Sequence, residues 1–134
     1  QRNSRTSLRK LAAKLGVPHS TLHERLKRLV EKGVIKKFTV LLDEAKLGYP
    51  VKALILVNVD GKYILDVERE IAKHPNVQVV LDITGEFDVA VIAAFKSIEE
   101  LDSFVKNLLK NPHVKQTRTS IAFRVIKQDL QIPL

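Results

Sequence analysis

Ser7-Leu8-Arg9-Lys10-Leu11-Ala12-Ala13-Lys14-Leu15-Gly16-Val17-Pro18-His19-Ser20-Thr21-Leu22-His23-Glu24-Arg25-Leu26-Lys27-Arg28-Leu29-Val30-Glu31-Lys32-Gly33 reads as two short helices joined by a tight turn. In the first helix, Leu8, Leu11, Ala12 and Leu15 recur at i, i+3, i+4 and i+7, the spacing of one helical face. Gly16 stops it, and Val17-Pro18 cannot continue it unbroken. The second runs from about His19 to Lys32 and aligns Leu22, Leu26, Leu29 and Val30. Gly33 closes it, with Lys32 set where a cation suits the helix dipole. Two helices across a turn of this length that contains glycine make a helix-turn-helix.

The charge of the chain is concentrated on the same segment. Residues 1–37 hold eleven Lys/Arg against Glu24 and Glu31, whereas residues 38–134 hold twelve Lys/Arg against thirteen Asp/Glu, within an overall net charge of +8. Such a division implies one segment built to approach a polyanion and a body built for something else. The polar face of the second helix presents Ser20, Glu24, Lys27, Arg28 and Glu31, flanked by Thr21 and His23. Short hydrogen-bonding side chains in its first turn suit base edges, so Ser20, Thr21 and His23 are the candidates for sequence reading. Lys27, Arg28, Lys36 and Lys37 are the candidates for phosphate contact on double-stranded DNA. The stretch Val34–Val40, which carries the last two lysines, is expected to form a strand or wing.

Beyond Leu42 the chain is mixed up to Gly48-Tyr49-Pro50, a hinge by composition. The expected division is therefore a DNA-binding segment of residues 1–37, a hinge strand or linker of 38–50 and an αβ body of 51–134. In the body, Val51–Val59, Val77–Ile83, Asp88–Phe95 and Val114–Lys127 read as strands. Ile64–Lys73 reads as a helix, and so does the segment opened by the capping box Ser97-Ile98-Glu99-Glu100. The order βαββαβ is the ferredoxin-like unit, so the fold class is α+β. His74-Pro75-Asn76-Val77 and Asn111-Pro112-His113-Val114 are the faint repeat expected of two related halves.

Two helices cover only one face of a four-stranded sheet, and the other face of such a sheet is usually polar. Here Leu54 and Leu56 oppose Ala53, Ile55, Val57 and Val59, while Ala90, Ile92 and Ala94 oppose Val89, Val91, Ala93 and Phe95. An apolar second face points to a homodimer through the sheet, which would also set two reading helices in a fixed relation. No apolar run approaches the roughly 18 residues that span a bilayer, so no membrane association is expected. With no cysteine and no secretory pattern, the expected setting is cytoplasmic. The chain opens on Gln1 and contains no Met, which leads us to expect a further N-terminal piece.

Four stretches together resemble the Lrp/AsnC (leucine-responsive, feast/famine) transcription regulators of bacteria and archaea, this chain reading as an archaeal one. They are Leu11-Ala12 to Val17 with Glu24-Arg25; Gly33-Val34-Ile35; Thr84-Gly85-Glu86-Phe87-Asp88; and Thr117-Arg118-Thr119. The resemblance implies a winged-helix-like head, a hinge strand, an effector-sensing αβ domain, and dimers that assemble into octamers or larger bodies. It also implies a helix ahead of Arg2. The chain departs from the family at Pro18, where Ser or Thr usually caps the reading helix. The effector implied is an amino acid held by Thr84, Gly85, Glu86, Phe87 and Asp88, with Thr117 and Thr119 reaching in from a neighbouring subunit. Asp88 would accept the α-ammonium, and Glu86 beside it makes a cationic amino acid conceivable. No cofactor beyond such an effector is expected.

No catalytic set is apparent, and no enzyme is expected. His19 and His23 share metal-ligand spacing, but no third ligand accompanies them, so they read as a surface pair. Two alternatives stand beside an effector-responsive regulator. One is an architectural DNA-compacting protein without an effector. The other is an enzyme like the sirohaem decarboxylases, which use the same scaffold.

Overall fold

The computed structural model describes residues 3–133. The described residues form two compact units, one of residues 3–42 together with 128–133, the other of residues 43–127. The division thus falls inside the expected 38–50 hinge, and the last residues group with the first unit.

In the first unit, α1 (Leu8–Leu15) and α2 (His19–Glu31) are the two expected helices. Ser7 caps α1, its Oγ accepting from Lys10 N at 3.3 Å. At the other end Gly16 takes φ +65°, and Val17 N and Gly16 N donate back to Ala12 O and Ala13 O at 3.1 and 3.3 Å. This double closure needs a left-handed residue, which is why glycine stands there. Pro18 precedes α2 without any side-chain cap, so the departure at this position leaves one helix end without that help. Ala12 and Leu22 are the buried centre of the pair, while Leu15, Leu29 and Val30 stay exposed.

The expected strand or wing of Val34–Val40 does not form, nor does a hinge strand within 38–50; that stretch contains only a single 3-10 turn, Ala45–Leu47. A strand exists only through ladder partners, and none of the sheet pairings reaches these residues. Val34, Phe38 and Val40 are each more than 60% exposed as a result.

The second unit has β1 (Val51–Val59), α3 (Ile64–Ala72), β2 (Val77–Asp82), β3 (Val89–Phe95), α4 (Ile98–Leu109) and β4 (Val114–Ile121). The four strands form one antiparallel sheet in the order β2-β3-β1-β4. Ser97 caps α4 by accepting from Glu100 N at 3.1 Å, and the Glu100 carboxylate returns to Lys96 N rather than to Ser97 N. The last strand ends six residues earlier than Lys127. Its neighbour explains this: Ala122 N still reaches Lys52 O at 2.9 Å, but β1 starts at Val51, behind a proline that has no N–H to offer.

Side chains of β1 and β3 that pair across the ladder share a face. Ala53, Ile55, Val57, Val59, Val89, Val91, Ala93 and Phe95 lie under α3 and α4 with Val67, Ile71, Leu101 and Phe104, and all are buried. The opposite face carries Leu54, Leu56, Ala90, Ile92, Val79 and Leu81; Leu54 is 42% and Leu81 48% exposed. Apolar residues therefore occupy both faces, and α3 and α4 cover only one.

On α3, the Oε1 atom of Glu68 is buried without a hydrogen-bond partner. Burial, and then the charge of Asp82, push its carboxyl above the usual carboxylate range. A raised folded-state value means that the native chain holds this proton more tightly than the unfolded one, so ionised Glu68 opposes folding as pH rises through that range. Glu68→Gln is expected to raise the melting temperature at neutral pH and to change little in acid, as thermal melts across pH will show.

Candidate functional sites

The outward surface of α2 carries the first site. Ser20, His23, Lys27 and Arg28 are exposed and Thr21 is half-buried. Ser20, Thr21, Glu24, Arg25 and Arg28 line one shallow, open depression. It therefore joins three of the expected residues to two others. His23 and Lys27 stand beside it on the helix, at about 100° per residue. Lys27 Nζ lies 3.8 Å from Glu31 Oε1, with both side chains about 60% exposed. A pair so solvated holds its lysine weakly and leaves it available to a phosphate. Lys36 and Lys37 are exposed on the irregular segment after Gly33. Glu24 and Arg25 were visible in the sequence as polar-face and family positions, but only the helix shows that they complete the depression.

The second site is the turn between β2 and β3. Ile83 N donates to Asp88 O at 2.8 Å and closes the loop around Thr84, Gly85, Glu86 and Phe87. Gly85 takes φ +118°, which side chains rarely adopt; a Cβ there would meet no atom within 4 Å, so the backbone angle rather than space selects glycine. Phe87 is buried, and the Arg118 guanidinium lies 4.8 Å over its ring. Arg118 Nη2 also stands 3.3 Å from Glu86 Oε1.

Asp88 has a structural task that the sequence did not reveal. Its Oδ2 accepts from Val59 N at 2.9 Å, and its own N–H donates to Val57 O at 3.1 Å. The β1–β3 ladder ends at the pair Val57 and Val89, and the carboxylate takes up the Val59 N–H that lies past that end on the same side of β1. Its other oxygen makes no hydrogen bond among the described residues.

Thr117 and Thr119 pair with Val57 and Ile55 and so lie on the helix side of the sheet, whereas Arg118 pairs with Leu56 on the open side. Strand β1 separates both threonines from the turn, and one chain does not bring them to it. Among the described residues, no group of three or more His, Asp or Glu is placed to hold a metal, and no helix is long and apolar enough to cross a membrane.

A helix-turn-helix with a cationic outer helix, linked to a ferredoxin-like unit with an apolar open face, defines a DNA-binding regulator with a ligand-binding body. Residues 1–36 match the winged helix-turn-helix DNA-binding family, and residues 52–132 match the Lrp/AsnC ligand binding domain. An HTH-type transcriptional regulator of Pyrococcus furiosus is 42% identical over 130 residues, covering 97% of this chain and 88% of that protein. The HTH-type transcriptional regulator FL11 of Pyrococcus horikoshii is 36% identical, covering 100% of this chain and 89% of its own length. The structure of a transcriptional regulator from Neisseria meningitidis in complex with L-Met superposes with a TM-score of 0.88 at 24% identity, covering 98% of this chain and 88% of that one. The chain belongs to the Lrp/AsnC family of transcriptional regulators.

Proposed function

We propose that the protein reads specific DNA sites as a dimer and changes its assembly or its DNA binding when an amino acid occupies the Thr84–Asp88 turn. The observation that carries this reading is the exposed surface of α2, where hydrogen-bonding Ser20 and Thr21 adjoin Arg28 and Lys27. Dimerisation through the open sheet face is supported by its apolar side chains. A ligand at the turn is supported by the free oxygen of Asp88, and an amino acid as the ligand by the complex of the Neisseria protein with L-Met. The Glu86–Arg118 pair beside it offers both charges to a zwitterion. Its arginine also offsets the glutamate, which weakens the case for a cationic amino acid in particular.

Fluorescence anisotropy of labelled duplex across a salt series tests the reading surface. Phosphate contacts release counterions, so each one lost lowers the log–log salt slope by about 0.9. The double replacement Lys27→Ala with Arg28→Ala is expected to weaken binding to every duplex and to flatten the slope by about one to two. An unchanged slope removes both residues from the interface. Calorimetric titration with the twenty amino acids, with mass measurement of the assembly, identifies the effector. Indifference to all of them sinks the effector half of the proposal.

A further inference from the structure

An anion lies at the middle of the surface that meets DNA. Glu24 lines the depression with Ser20 one turn before it and Arg28 one turn after. On a helix, a glutamate four residues ahead of an arginine is favourably placed to pair with it, and on the same helix Lys27 pairs with Glu31 even in the reverse, less favourable order. Glu24 nevertheless makes no ion pair or hydrogen bond among the described residues. Facing a groove walled by phosphates, a free carboxylate opposes binding unless it accepts a hydrogen bond there.

In the major groove only two groups can donate to it, the amino groups of cytosine and adenine. The adenine amino group sits between two acceptors, N7 and the thymine O4, which repel a carboxylate. The cytosine amino group has one such neighbour, the guanine O6, and Arg25 and Arg28 stand beside Glu24 to bond guanine oxygen and nitrogen. We infer that Glu24 is a base-reading residue that selects cytosine at one position of the DNA site, with an arginine of the same depression on guanine. This inference rests on the DNA-reading role of α2.

Selection of duplexes from a randomised library, with the whole protein and its Glu24→Ala and Glu24→Gln variants, tests it. Glu24 is exposed, so both variants should fold. The unaltered protein should enrich a cytosine in one column with roughly tenfold discrimination. Glu24→Ala should lose that column while binding unselected duplex more tightly, because an anion has gone. Glu24→Gln should shift the column toward adenine, since a carboxamide both donates and accepts. Identical columns in all three proteins overturn the inference, as does a uniform loss of affinity that leaves the column intact. If the unaltered protein enriches nothing, the DNA-reading role itself fails.

Discussion

Leu54→Lys is expected to leave the protein as single subunits. Leu54 lies on the open sheet face opposite Ile92, 42% exposed, so lysine can reach water in one chain and should not disturb the fold. In a dimer closed by that face the same side chain is buried. Hiding several hundred Å² of apolar surface yields on the order of 10 kcal/mol at about 25 cal/mol per Å², before the costs of association. A two-fold interface repeats every substitution, so two unpaired ammonium groups enter it, each costing several kcal/mol. Dissociation should rise by roughly three orders of magnitude or more. Light scattering or sedimentation at micromolar concentration will show it, and circular dichroism will confirm that the subunit is folded. Ile92→Lys, at the centre of the same face, should act alike. If both variants remain dimers, the interface lies elsewhere.

The same face illustrates which parts of the chain were legible beforehand. Helix periodicity placed α1 and α2 because their stop signals, Gly16 and Gly33, act within a turn or two of the residues they terminate; both indeed take positive φ. Alternation along β1 and β3 sorted the two faces of the sheet, since side-chain direction in a strand depends only on residue parity. What failed was whatever depended on a distant partner. Val34–Val40 has the composition of a strand but nothing to pair with, and β4 runs out where Pro50 interrupts the opposite backbone. The site was legible unevenly for the same reason. The exposed positions of α2 follow from the helix, yet the Asp88 bond spans twenty-nine residues to Val59 and leaves no mark in local sequence. Family resemblance points to Thr117 and Thr119, and parity sets them on the face away from Arg118.

That bond makes Asp88 the position where two roles can be separated. Asp88→Ala removes the acceptor for Val59 N–H and leaves a strand donor unpaired, which costs about 1–3 kcal/mol. For a unit of this size the melting temperature should fall by roughly 4–8 °C per kcal/mol. Asp88→Asn retains a carbonyl oxygen for the same donor, so its melting temperature should stay near that of the unaltered protein. The two variants should agree where the charge matters. If Asp88 receives an α-ammonium on its free oxygen, either change removes a charge-assisted bond of about 1.5–3 kcal/mol, or roughly ten- to hundredfold in affinity. Calorimetric titration with the effector should then show weak binding in both variants, and mass measurement should find dimers in both. A stable Asp88→Asn protein that still responds fully would assign the carboxylate to the sheet alone. The ammonium would then fall to Glu86, whose solvated pairing with Arg118 leaves it free to exchange partners.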